Sequence, residues 1–273
     1  GTLVFKDHKV IINVYGSLVA ARRGNATETT VIRYSDIAAT KDTPTPVLDG
    51  DGNIIGYTYE ELKADKRIDR TVTTTDPADF DERGYAKKQT SFTYVVDTDG
   101  VEKLATKRVS ENEDIDNRGD AARQYITTRT TDASGDESSL EVTSYQILTN
   151  REFDSEHNIV NQMIYTYDDK KEGSTRQGNL ILDVQEIRST AGFYSSGVAV
   201  QQVVATYTDE SKSKLIDVKV IDNSDVDVSG NVGHSVVTKY SSWTISSEGA
   251  QIVIDLESAV DRQTIDTSLF DNR

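Results

Sequence analysis

The chain has 273 residues, 46 acidic against 30 basic, for a formal net charge of −16, and 36% of it is hydrophobic. Such an excess of acid disfavours nucleic acid and anionic membrane as partners, because both are held through Lys and Arg. The absence of Cys excludes a disulfide framework and thiolate metal sites, and no apolar run approaches the roughly 20 residues of a membrane-inserted helix. Low hydrophobicity with high charge is also the signature of disorder. Here, however, 13 Tyr and many Val, Ile and Thr fall in regular alternation, a strand pattern that disordered segments lack.

Residues 1–47 read as a degenerate first repeat followed by a Pro-containing loop. Phe5 serves as its apolar anchor, Val10, Ile12 and Val14 as one strand, Gly24-Asn25 as a turn and Val31 to Tyr34 as the return. Residues 36–47 carry Pro44 and Pro46 and read as irregular. Asn25-Ala26-Thr27 fits a glycosylation sequon, a tripeptide that is frequent by chance. The next unit opens at Leu48. In it, Tyr59 to Lys66, with acids leading bases, predicts a short helix, and the β-branched run Thr71 to Thr75 predicts a strand.

From there one pattern recurs. FDERGYAKKQTSFTY begins at Phe80, IDNRGDAARQYITTR at Ile115, FDSEHNIVNQMIYTY at Phe153, FYSSGVAVQQVVATY at Phe193 and VDVSGNVGHSVVTKY at Val226. A fixed period of this kind marks a repeat architecture. It predicts tandem two-strand repeats over 48–269, starting at 48, 80, 115, 153, 193 and 226, with residues 270–273 opening another. Gly1 is not a natural start, and Phe270-Asp271-Asn272-Arg273 matches Ile115 to Arg118, so a longer natural polypeptide is expected.

The second position holds Asp49, Asp81, Asp116, Asp154 or Asp227, with Tyr194 as the exception. The fifth holds Gly52, Gly84, Gly119, Gly197 or Gly230, with His157 as the exception. Asp followed by Gly at this spacing is turn chemistry. The carboxylate accepts backbone amides, and the glycine takes the positive φ that closes a bulged hairpin. Beyond the turn, Ile159, Met163, Tyr165 and Tyr167 fall on one face and Gln162 and Thr166 on the other, the period of a half-buried antiparallel strand. The loops around Asp97, Asp132, Gly173 and Glu248 vary in length, and a second strand follows each, Gln251 to Leu256 in the last case. The expected fold class is therefore all-β: tandem β-hairpin repeats forming a long antiparallel up-and-down meander sheet of about 14 strands, coiled, folded over or covered by assembly.

Several positions are candidates for chemistry. Acidic pairs two residues apart, Asp79 with Asp81, Asp114 with Asp116, Glu152 with Asp154, Asp225 with Asp227 and Asp49 with Asp51, would point the same way on a strand and could share a calcium ion. The plainer reading is turn capping and edge charge; no other cofactor is expected. Gln89, Gln124, Gln162 and Gln202 recur at one height, as a hydrogen-bonded amide row, a ligand stripe or, more simply, a solvated face. Tyr94, Tyr167, Tyr207 and Tyr240 form a second column, read first as cross-strand packing and second as a platform for sugars. The histidines His8, His157 and His234 are scattered, and no phosphate loop, nucleophile elbow or zinc helix appears, so catalysis is not expected.

The units FDERG, IDNRG and FDSEHN, with Tyr167-Asp168-Asp169 beyond, resemble the tyrosine–aspartate repeats of bacterial rearrangement-hotspot and giant surface proteins, over about residues 48–273. This chain places Phe, Ile or Val where that family places Tyr. The resemblance implies an extracellular or cell-surface location and a structural or adhesive role within a large bacterial protein. Its partners would be further repeats, copies of itself, or a glycan or surface protein. The alternatives are a glycan- or protein-binding module and a subunit of an extracellular polymer paired through sheet edges.

Overall fold

The computed structural model describes residues 7–41, 43–169, 180–228, 230–248, 251–256 and 258–267. The protein is all-β, and fifteen of its strands make antiparallel sheet in meander order. Two compact units divide the chain: Gly1–Ile115 with Tyr125–Ser144, and Asp116–Gln124 with Tyr145–Arg273. The anchor Phe5, the loop around Gly173 and residues 270–273 lie outside the described residues.

In the first unit, β1 (His8–Val14) is followed by a short helix α1 (Leu18–Arg23), then β2 (Glu28–Tyr34), β3 (Thr45–Leu48), β4 (Ile54–Thr58), β5 (Arg67–Thr74), β6 (Lys88–Val96) and β7 (Glu102–Ile115). Their order is β3-β4-β1-β2-β5-β6-β7. The hairpin of β3 and β4 docks outside β1, which leaves β2 free to pair with β5. The two strands of the unit that opens at Leu48 are therefore not neighbours, unlike those of the regular repeats. Strand β3 lies in the predicted loop and contains Pro46, which an edge strand tolerates because its outer side needs no donor.

Two further differences have local causes. The predicted turn at Gly24 is the C-terminal end of α1: the Ser17 hydroxyl accepts the Ala20 amide, and Gly24 closes the helix at φ 77°. Tyr59 to Lys66 condenses to one 3₁₀ turn, Ala64–Lys66, while Glu61 bridges to Thr40. One sheet face carries Val10 opposite Ile32 and Val72 opposite Phe92, and the other carries Asn13, Thr29, Thr73 and Ser91 in register. On that second face the Thr29 hydroxyl donates to Asn13 at 2.8 Å, and Thr73 and Ser91 hydroxyls meet at 2.8 Å. A β-branched residue with one hydroxyl suits a strand that is packed by its neighbours but half-wet.

Strand β8 (Ala121–Thr130) and strand β9 (Glu141–Phe153) are shared between the units by sequence. The second unit continues with β10 (Ile159–Tyr167), β11 (Ile181–Ser189), β12 (Gln201–Tyr207), β13 (Leu215–Val226), β14 (Val232–Tyr240), β15 (Trp243–Glu248), β16 (Gln251–Leu256) and β17 (Ala259–Asp266). From β9 to β14 each strand pairs antiparallel with the next, and β17 then pairs with β14. Among the described residues, strands β15 and β16 pair only with each other, so the run predicted as a sheet strand at Gln251 to Leu256 is an excursion, and the return strand is β17.

Cross-strand rows explain the core of this unit. Met163, Val184, Val203, Ala205, Tyr207, Val218 and Val220 are buried together, and register places Tyr165 opposite Val184, Val184 opposite Tyr207 and Ala205 opposite Val218. Trp243 and Leu256, at the two ends of the excursion, pack on this cluster. The excursion thus covers part of an apolar face that a single layer of sheet would leave wet. Ile159 does not join that face: a register shift before Asn161 turns it outward and buries Asn161 instead.

Candidate functional site

The repeated turn is built alike wherever it occurs. The Asp81 amide donates to the Tyr85 carbonyl at 2.9 Å, and Gly84 donates back to Asp81 at 3.0 Å. The Asp81 carboxylate accepts the amides of Arg83 and Tyr85, both at 2.9 Å. The turns at Asp49, Asp116 and Asp154 repeat the pattern with distances between 2.7 and 3.0 Å, and Asp227 accepts from Asn231 at 2.9 Å. Gly52, Gly84, Gly119, Gly197 and Gly230 all take positive φ, and so does His157, at 71°. Tyr194, which has no carboxylate to offer, still closes its turn by the backbone alone. Hydrogen bonds hold the Asp49, Asp116 and Asp154 carboxyls below the usual carboxylate range, led by the Asn53 side chain, the Arg118 amide and the Asn158 side chain respectively.

The acidic pairs are placed by the same turns. Asp114 and Asp225 take left-handed backbone, at φ 53° and 54°, which breaks the alternation that would aim them alongside Asp116 and Asp227. Asp79 ends the 3₁₀ turn Pro77–Asp79, Glu152 lies at a register shift opposite Asn161, and the Asp51 amide is itself bonded to Asp49. Among the described residues no three His, Asp or Glu side chains are gathered as a cation cage requires.

The two columns also resolve into contacts within the sheet. Gln89 donates to the Thr75 hydroxyl at 3.2 Å and Gln162 to Asn150 at 2.6 Å, while Gln202 lies opposite Ile221 and Gln124 lies half-buried on β8. Equivalent positions recur on every second strand, roughly 9–10 Å apart, too far for amide to reach amide. Tyr94 lies under the Arg70 guanidinium, 4.1 Å from its ring centre. Tyr167 and Tyr207 are buried, the former donating to Glu210 at 3.1 Å and the latter accepting the Trp243 indole N–H at 2.7 Å. Tyr240 packs against the same core. Burial and then Glu210 push the Tyr167 phenol above its usual range.

Three features escaped the sequence reading. The first is an asparagine rung: the side-chain amides of Asn112, Asn150 and Asn223 donate to the carbonyls of Ala86, Ala121 and Ala199 at 2.9, 2.7 and 3.0 Å. Each Asn stands three residues before an anchor and each Ala six after one, so the spacing was present in the repeats. The second is that the opposite edge uses the same turn, at Asp97 with Gly100 and at Asp209 with Lys212, whose φ is 58°. The third is a pair of ion networks. In the first unit Glu102 receives Arg67 and Arg70, both at 2.7 Å. In the second, Glu186 is 2% exposed and receives Arg188 at 2.6 Å, Arg151 at 2.7 Å and Lys212 at 2.8 Å. Burial alone would raise the Glu186 carboxyl, but hydrogen bonds from Lys212, Arg188 and Arg151 outweigh it and bring it down to about 2. A carboxylate held ionised in this way is a poor proton donor or acceptor near neutral pH.

A cleft of about 400 Å³ lies between α1 and the Asp81 turn and is lined by Ser17, Arg23, Asn25, Pro77 and Phe80. His8, His157 and His234 contact Thr40, Asp120 and Asp266 respectively, each far in sequence from the next. No protein-family model matches the chain, and neither a curated protein nor a solved structure matches it.

Proposed function

We propose that the chain is a structural and adhesive β-repeat segment of a large extracellular or cell-surface bacterial protein. The observation that carries this reading is the economy of the polar groups. The repeated Asp carboxylates cap turns, the asparagine rungs tie neighbouring strands together, Gln89 and Gln162 hydrogen-bond within the sheet, and Tyr167 and Tyr207 are buried with their hydroxyls bonded. Most of the recurring polar side chains are thereby committed to building the sheet. The net charge of −16 keeps a long sheet soluble and discourages edge-to-edge stacking, and the resemblance to tyrosine–aspartate repeats supports a surface location. Recognition of a glycan or protein, in this reading, falls to the connecting loops and not to Tyr167 or Tyr207, whose rings are covered.

Antibody raised against the chain provides the test on cells that make the parent protein. Surface location requires that protease added to intact cells removes the epitope. An epitope that survives until lysis rejects the reading.

A further inference from the structure

A cleft of about 330 Å³ lies in the first unit where the end of β1 meets α1 and β4. Its walls carry Ile11, Asn13, Tyr15, Ile54, Tyr57 and Tyr59, together with the bare backbone of Gly56, and no charged side chain. In a chain whose residues are 28% charged, a cleft without one selects a neutral ligand, because an ionic ligand would lose its hydration and find no opposite charge in return. All three elements that form it lie among the described residues.

Three of the 13 tyrosines meet here. Tyr57, 49% exposed, is more open than any other tyrosine of the chain. Elsewhere phenol oxygens serve the fold. Tyr125 and Tyr167 donate to Glu113 and Glu210, Tyr194 donates to the Asn223 carbonyl at 2.9 Å, and Tyr207 accepts from Trp243. Among the described residues the hydroxyls of Tyr15, Tyr57 and Tyr59 have no hydrogen-bond partner. Nor does the side-chain N–H₂ of Asn13, whose oxygen accepts the Thr29 hydroxyl. Tyr15 and Tyr59 stand just beyond the ends of β1 and β4, so the cluster belongs to the connections and not to the repeated ladder.

We propose that this cleft binds the neutral, pyranose end of a glycan. A pyranose offers a face of C–H groups, which suits the negative face of an aromatic ring. It also offers a rim of hydroxyls that both donate and accept, which matches three unbonded phenols and one amide. Small-ligand clefts begin at about 300 Å³, so this one takes roughly one or two sugar rings. A proline-rich segment also docks among aromatic side chains, but it needs a groove extended over several residues. The proposal rests on the surface reading only for where such a glycan is met, and binding by the purified chain is measured apart from location.

The test passes the full chain over an array of neutral oligosaccharides ending in glucose, galactose, mannose, N-acetylglucosamine or N-acetylgalactosamine. Heparin and decaproline serve as the acidic and peptide comparisons. At least one neutral terminus should bind, and its affinity by calorimetry should fall about tenfold or more in Tyr57→Ala. Since Tyr57 is exposed, that variant should melt as the parent does. Tyr57→Phe keeps the ring and loses the hydroxyl, so its affinity should fall between the two. Val260→Ala, at a position 64% exposed in the second unit, should bind as the parent does. Binding to none of the neutral sugars, stronger capture by heparin or decaproline, or equal affinity of Tyr57→Ala and the parent would each overturn the proposal.

Discussion

Replacing Glu186 by Gln tests whether the buried ion network stabilises the second unit as its geometry implies. The carboxylate is almost wholly enclosed, with two guanidinium groups and one ammonium group within 2.8 Å. Its carboxyl falls from an ordinary 4.5 to about 2, which corresponds to about 3 kcal/mol favouring the ionised, folded form. Because the folded value lies below the unfolded one, this contribution is complete above about pH 4.5 and fades as pH drops towards about 2. Gln keeps the volume and removes the charge, so the variant should be less stable by about 3 kcal/mol at pH 7, a loss on the order of 10 °C in Tm. The two proteins should then converge as pH falls through that window. Urea unfolding of both at a series of pH values measures the gap directly. A gap that stays constant from pH 7 to pH 2, or that is under about 1 kcal/mol at pH 7, would refute the reasoning.

Three further outcomes follow from the geometry. Asp154→Ala removes the acceptor of the Glu156 and Asn158 amides, so hydrogen exchange at those two positions should accelerate while the Asp227 turn is unchanged. At Gly52, φ is +81° with open space around an added Cβ, and Ala there should cost ~1–2 kcal/mol through backbone strain alone. Gly84→Ala should cost more, because its Cβ would also come within 2.6 Å of the Asn25 side chain; equal urea midpoints for the two variants would contradict this. Tyr207→Phe leaves the Trp243 indole N–H without its acceptor and should cost about 1–3 kcal/mol, with fluorescence of the one Trp in the chain as the readout.

The turn and the strand were legible in the sequence because each is specified within a few residues. Asp at the second position and Gly at the fifth determine a local hydrogen-bonding pattern, and alternation from Met163 to Tyr167 determines which side chains turn inward. Bulges were not legible. A register shift at Ile159 or a left-handed Asp114 reverses which way the following residues point, and nothing in residue type announces it. Order among the first strands was hidden as well, because the docking of β3 and β4 outside β1 rests on pairing between residues such as Val14 and Gly56, distant in sequence. The Gly56 position admits no Cβ, which would lie 2.5 Å from the Asn13 carbonyl oxygen. Glu186 looked like any other acid in an acidic chain, and its environment is assembled from β9, β11 and the loop after β12.

The excursion from Trp243 to Leu256 shows what this architecture tolerates. The chain leaves after Tyr240, makes a hairpin of its own and comes back so that Lys239 still faces Asp261 across the ladder. β14 and β17 stay paired across the whole connection. The same junction is therefore a place where a foreign module could be grafted, provided that its stem keeps an indole over Tyr207 and an apolar side chain beside it to shield Val184 and Val218 from water.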